Sequence, residues 1–391
     1  MKEIEEKYKF ENWLNSGNLI PSAIQGLNLK PYADKIKTLD FFGSLFLGCE
    51  VTNESAGHIV KTGGVVISNR DDIPFQIHKS KLYSVKELFN GFDIDKEKGY
   101  ELTYDYKVYE DYVKNGMENP VSILASLTRR LHDHSVTDAL QEIIEGRKVV
   151  AIMGGHSMER QDEYYLKVAK ISRKLTQKGF LMISGGGPGA MEATHLGAFF
   201  ACRTEKELTQ AVNEIKIRPV GAPKGKEYED KDWLHRAWKI LGKYPIPQGK
   251  ENESMSVGIP TWLYGHEPPA PFATHIAKYF ANSVREDGLL AIAKYGVIFA
   301  PGSAGTTQEI FQDAAQNHYA PYNKQKFKKF VSPMILFGIK RWTEERPLWD
   351  FIKKVSNGRP YGELLQLTES EDEVVGKILS YNPEDYSYPK K

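Results

Sequence analysis

Three short glycine-bearing stretches concentrate the residues that could do chemistry. They are Gly154-Gly155-His156-Ser157, the run Gly185-Gly186-Gly187-Pro188-Gly189, and Pro301-Gly302-Ser303-Ala304-Gly305-Thr306. Glycine lets a backbone approach a ligand, and the amides opening the next helix point outward with the positive end of its dipole. Such turns together can hold a phosphate and a sugar without a P-loop lysine. The sequence contains no GxxxxGK[ST] run, which argues against a Walker-type NTPase. Glycine also serves ordinary tight turns and helix–strand packing, so one loop alone would say little. Three at successive strand ends say more.

The turns need a scaffold, and the sequence supplies an alternation of strands and helices. KVVAIMGG (148–155) is a continuous apolar run ending in glycines, as a strand buried on both faces should be. Residues 160–178 have helical periodicity with Gly179 as their stop, and FLMIS (180–184) is the next buried strand. Residues 188–202, 271–294, 306–318 and 371–379 read as helices, and 295–300, 334–338 and 364–367 as strands. This rhythm predicts an α/β fold, a doubly wound parallel (Rossmann-like) sheet, with ligands beyond the carboxyl ends of its strands. Residues 203–256 interrupt it with two polar stretches around a helix bearing Trp233, Trp238 and Leu241. They read as a surface insertion, a mobile lid or an interface element.

The first 145 residues have another texture. Short β-like runs between 39 and 91 (FFGSLFLGCEV, HIVKTGGVVIS, PFQIH) predict a small α+β unit, followed by a helical pattern from about 85 to 148. The expected organisation is an N-terminal α+β/helical region of unassigned role (1–145) and a nucleotide-binding domain (146–391).

Composition narrows the function. Among 391 residues, 52 Lys+Arg stand against 51 Asp+Glu, which disfavours a nucleic-acid partner and an acidic tail alike. With 41% hydrophobic residues, the chain can bury a large core. The N-terminal MKEIEEKYKFENWL lacks an apolar h-region, and no apolar run approaches the ~20 residues of a membrane span. Cys49 and Cys202 are too few for a disulfide framework or a structural zinc site, and both sit in apolar stretches. A cytosolic chain without a membrane partner is expected. A nicotinamide enzyme is disfavoured: Gly185-x-Gly187-x-Gly189 follows the second strand of its domain, and ~20 residues on lies Glu205, within a helix-like stretch.

SGGGPGAMEA (184–193) and PGSAGTTQE (301–309) resemble the two signatures of the LOG ("Lonely Guy") phosphoribohydrolases, GGGxxGxM and PGGxGTxxE. The preceding GGHS and the GAMEA form are most similar to the longer bacterial branch, the nucleotide 5′-monophosphate nucleosidases. The resemblance spans about 148–379 and assigns nothing to the first 145 residues. It implies hydrolysis of the N-glycosidic bond of a nucleoside 5′-monophosphate to free base and ribose 5-phosphate. It also implies a homodimer or larger homo-oligomer, with neither cofactor nor metal. The implied substrate-binding residues are Gly154, Gly155, His156, Ser157, Gly185, Gly186, Gly187, Gly189, Met191, Glu192, Gly302, Ser303, Ala304, Gly305, Thr306 and Thr307.

Breaking this bond builds oxocarbenium-like charge on the sugar, which calls for a carboxylate and a positioned water. The resemblance assigns the carboxylate to Glu309, one turn into the helix opened by the third glycine turn, and a catalytic guanidinium to Arg285, 16 residues before Pro301. The bland alternatives are a solvated carboxylate and a surface ion pair. Thr306 and Thr307 suit phosphate or a helix N-cap. His156 suits the ligand or a hydrogen bond at a strand end.

Two departures stand out. Ser303 replaces the second glycine of PGG, which is harmless only at negative φ. The longer stretch 258–271 offers Trp262, Tyr264 and Glu267 either to a base pocket or to the core. Other features are weaker. The basic run 324–329 reads as a solvated face. His132, Asp133, His134 and Asp138 lack metal-ligand order, and Gln76-Ile77-His78-Lys79 lacks the serine of a pyridoxal-phosphate anchor. The alternative function is a non-catalytic nucleotide sensor on the same scaffold.

Overall fold

A computed structural model describes residues 1–17, 19–96, 99–216, 224–320 and 329–388. The basic run 324–329 lies outside the described residues except for its last position, as does 217–223 of the expected insertion. The chain divides into two compact units, one formed by Met1–Leu82 with Lys107–Glu142, the other by Tyr83–Tyr106 with Ile143–Lys391. The second unit therefore takes in 83–106, a stretch that the sequence groups with the N-terminal region.

In the first unit, strands β1 (Lys2–Ile4), β2 (Ser22–Gln25), β3 (Leu45–Leu47) and β4 (Val65–Ile67) pair in chain order, all parallel. Helices Lys7–Leu14, Ala33–Ile36 and Asn53–Lys61 fill the connections. The expected α+β unit is thus corrected to a small α/β unit. The HIVK run is helical rather than extended, because Thr52 caps its helix by accepting from the Ser55 amide, and Ile59 reaches the core. Ile4, Phe10, Ile24, Phe41, Phe46 and Ile59 make that core.

The second unit holds β5 (Lys148–Met153), β6 (Phe180–Ser184), β7 (Ser256–Gly258), β8 (His275–Ile276), β9 (Val297–Phe299), β10 (Lys329–Phe330), β11 (Met334–Phe337), β12 (Leu365–Thr368) and β13 (Ser387–Tyr388). β10 and β13 form a separate antiparallel ribbon. The other seven form one parallel sheet ordered β12-β11-β9-β5-β6-β7-β8. This is the doubly wound α/β fold, with its direction of winding reversed between β5 and β9. Continuous apolar runs explain the centre: every residue of β6, β9 and β11, and all but Lys148 of β5, is buried. Helix Glu163–Gln177 starts on an Asp162 cap and turns Tyr165, Val168, Ala169 and Leu175 inward.

Two expectations fail here. The described parts of 203–256 are not a surface excursion. Helix Glu205–Ile215 buries Leu208, Ala211, Val212 and Ile215 in the main core, and Ala237 and Ile240 of helix Lys231–Lys243 join them. Residues 271–281 are not helical either. His275-Ile276 instead pairs beside β7, and the helix begins only at Asn282. Its prolines leave the stretch 268–271 unsuited to helix, and the edge of the sheet offers His275 and Ile276 a ladder.

Candidate functional site

The loops after β5 and β9 leave the sheet on either side of its reversal, where an open α/β sheet binds ligands. They touch through backbone. The Gly155 amide donates to the Pro301 carbonyl (3.1 Å), and the Ala190 amide to the Gly155 carbonyl (3.2 Å). A Cβ on Gly189, whose φ is +72°, would lie 2.3 Å from the Gly155 oxygen, and one on Gly302 would lie 2.0 Å from Thr306 Oγ1. A Cβ on Gly154 would meet Ala190 Cβ at 2.6 Å. Close packing of the three turns thus accounts for Gly154, Gly155, Gly189 and Gly302. Their glycines bring the turns together and leave exposed rims.

The rims differ. His156 and Ser157 are exposed beyond β5. Beyond β9, helix Ala304–Tyr319 opens without a side-chain cap, and Ala304 and Gly305 of its first turn are exposed. Open amides and the helix dipole there favour an anion. Ser303 has φ −111°, so its side chain adds no strain. Thr307 Oγ1 donates back to the Ser303 carbonyl (3.1 Å), and Thr306 is buried. Neither threonine caps the helix.

The second turn carries the guanidinium. A Cβ on Gly185 would sit 2.4 Å from Arg285 Nη2 and 2.6 Å from Met191 Sδ, so glycine lets both side chains lie against the backbone. Arg285 is held in place, its Nε donating to the Ile259 carbonyl (2.9 Å). Its side chain is 11% exposed, and the carboxylate of Glu286 stands 3.9 Å away. That pair is largely out of solvent. Glu309 lies on the neighbouring helix, half-buried. Burial pushes its carboxyl up to about 7, the Arg285 guanidinium pulling it back and Glu286 raising it further.

Not every expected residue reaches the site. Glu192 is fully buried and spent on the core: Arg160 donates Nε (2.9 Å) and Nη2 (2.5 Å) to its two oxygens, and Tyr165 adds its hydroxyl (2.7 Å). Its place in the GAMEA signature is structural. Trp262 is buried too, its ring tilted against Phe280 with centroids 4.4 Å apart, and so belongs to the core. Tyr264 remains 47% exposed, and Glu267 lies beside Gly187.

The sequence reading missed Arg341, Thr261 and Lys278. Arg341 donates Nη2 to the Gly302 carbonyl and Nη1 to Glu345, 3.0 Å away, placing a cation beside the third turn. It stands just after β11, and loops following further strands of the same sheet were the available signal. Among the described residues no cluster of His, Cys, Asp and Glu could hold a metal, and no helix is long and apolar enough to cross a membrane.

No family model and no curated protein matches the chain. Among solved structures it is similar to the molybdenum cofactor binding protein from the phototrophic bacterium Rippkaea orientalis, at 14% identity and TM-score 0.36 over 60% of this chain and 96% of that one. It is also similar to the molybdenum cofactor carrier protein MCP from Chlamydomonas reinhardtii, at 12% identity and TM-score 0.35 over 60% of this chain and 99% of that one. Likeness at this level says nothing about ligand or activity.

Proposed function

We propose that the second unit is a cytosolic hydrolase of nucleoside 5′-monophosphates, releasing free base and ribose 5-phosphate as the resemblance to the LOG family implies. The observation that carries this reading is that Arg285 and Glu309 stand on neighbouring helices near converging glycine turns, with the guanidinium anchored and the carboxyl desolvated. The phosphate rests on the open amides of residues 304–305, with Arg341 nearby. Arg285 orients the substrate through its Nη donors, which make no hydrogen bond among the described residues. As the C–N bond lengthens, ionised Glu309 faces the growing positive charge on the ribose, and a water adds to C1. The water's hydroxyl ends on the sugar and its proton on the base, so the step balances without a cofactor.

The implied homo-oligomer is part of the proposal. Phe311, on the helix of Glu309, is 40% exposed and packs edge-on against the 53% exposed Phe351, an apolar pair suited to a second copy. Sedimentation of the pure chain is expected to show a dimer or larger, and a monomer at working concentration would remove that part. For the activity, the pure chain is incubated with AMP, GMP, CMP, UMP and their deoxy forms. Release of base and ribose 5-phosphate from at least one is expected. Binding without release from any would leave a nucleotide sensor instead.

A further inference from the structure

A small cavity of about 40 Å³ lies against residues 185–187, walled by Thr261, Lys278 and Arg285. Lys278 is 1% exposed and held from behind by Asp105, 2.7 Å from its Nζ. Asp105 is itself fixed, accepting from the Trp262 indole (2.9 Å) and the Tyr100 hydroxyl (2.8 Å). An ammonium has three donors, and Asp105 takes the only hydrogen bond that Lys278 makes among the described residues. Thr261 is 3% exposed, and its hydroxyl has no hydrogen-bond partner among the described residues. Buried donors left unmet are costly, and here two kinds of them border one cavity, with Lys278 Nζ also 5.4 Å from the centre of the Trp262 ring.

The cavity defines what fits. The cavity is small, with room for an acceptor atom on the edge of a ring. Arg285 forms one wall, so the cavity opens onto the group that the guanidinium orients. Resting on the proposed glycosidase reading, we infer that Lys278 and Thr261 form a leaving-group subsite, receiving the acceptor that a nucleobase carries next to its glycosidic nitrogen. When the C–N bond breaks, its electron pair stays on the base. Lys278 and Thr261 donate hydrogen bonds to the charge that spreads onto that acceptor, while water closes on C1 and its proton neutralises the departed base. The pyrimidine O2 and the purine N3 both stand at that position, so the subsite serves either class of base. Burial lowers the Lys278 ammonium from its ordinary range, with Asp105 opposing the shift, which makes it a stronger donor.

The test separates leaving groups. A 4-nitrophenyl riboside 5-phosphate keeps the sugar and phosphate but expels nitrophenolate without help. In Lys278→Met, kcat/KM on UMP and AMP is expected to fall about 100-fold relative to kcat/KM on the nitrophenyl substrate. Thr261→Val should give the same selective loss in smaller measure. Asp105→Asn/Lys278→Met removes both charges of the buried pair and guards against a folding defect. It should repeat the selective loss while keeping a cooperative melt. Parallel loss on both substrates, or loss on neither, would overturn the subsite. If wild type cleaves neither substrate, the glycosidase reading fails, and calorimetry decides the subsite. Tighter binding of UMP than of ribose 5-phosphate, abolished in Lys278→Met, supports it, and equal weakening of the two ligands refutes it.

Discussion

Two arginine–glutamate sets flank the second glycine turn, and they differ in what they leave free. Arg160 and Glu192 are both fully buried and saturate one another. Arg160 also donates to the Trp233 carbonyl (2.8 Å) and lies over the Trp233 ring at 4.3 Å. Nothing in that set remains for a ligand. Arg285 and Glu309 make no ion pair with each other among the described residues. Among the described residues the guanidinium donates a hydrogen bond only through Nε, with Glu286 3.9 Å from Nη1, and burial raises the Glu309 carboxyl to about 7. The residue types are the same, so type cannot distinguish cement from chemistry. Unmet hydrogen-bonding capacity beside an opening can.

The comparison is broken most severely at Glu309. Glu309→Gln should lower kcat about 1,000-fold, about 4 kcal/mol of barrier, with little change in thermal midpoint. The closed set should respond the opposite way. Glu192→Ala strands the buried Arg160 charge and is expected to lose about 3 kcal/mol of stability in urea melts. Its kcat, counted per folded molecule, should stay within about threefold of wild type. Arg285→Ala should cost about 100-fold in kcat/KM, and Arg285→Lys should recover only part, because a lysine cannot keep Nε on Ile259 while offering a planar fork.

The smallest effect sharpens the comparison through pH. Stabilising a cation requires the ionised carboxylate of Glu309, whose pKa is pushed up to about 7. The rate should therefore rise with pH through that value and level off above it. Below it, activity falls about tenfold per pH unit. The profile of Glu309→Gln should be flat across the same window. A wild-type profile that falls with rising pH there would mean that the protonated acid does the work.

Much of this architecture was legible in the sequence because the central strands are buried on both faces. KVVAIM, FLMIS and MILF are uninterrupted apolar runs, and the glycines that end two of them mark the site. Glu309 and Arg285 were accessible through signature spacing. What escaped depends on distant partners. Glu192 looked like a ligand residue until Arg160, 32 positions away, claimed both of its oxygens. Lys278 carries no signal by itself, since its meaning comes from Asp105, 173 positions earlier. Residues 203–256 misled because polar stretches surround their two helices and mask that the apolar faces of these helices complete the core. Residues 275–276 misled because a two-residue edge strand is too short to show a period of two.

The central claim is that water attacks C1 of the ribose. The direct measurement is turnover of the preferred nucleoside monophosphate in ¹⁸O-water, followed by mass spectrometry of the products. The account predicts one ¹⁸O on C1 of ribose 5-phosphate, an unlabelled phosphate and free base, all lost together in Glu309→Gln. Label in inorganic phosphate with the nucleoside left intact, or unlabelled ribose 5-phosphate formed at an undiminished rate by Glu309→Gln, would contradict it.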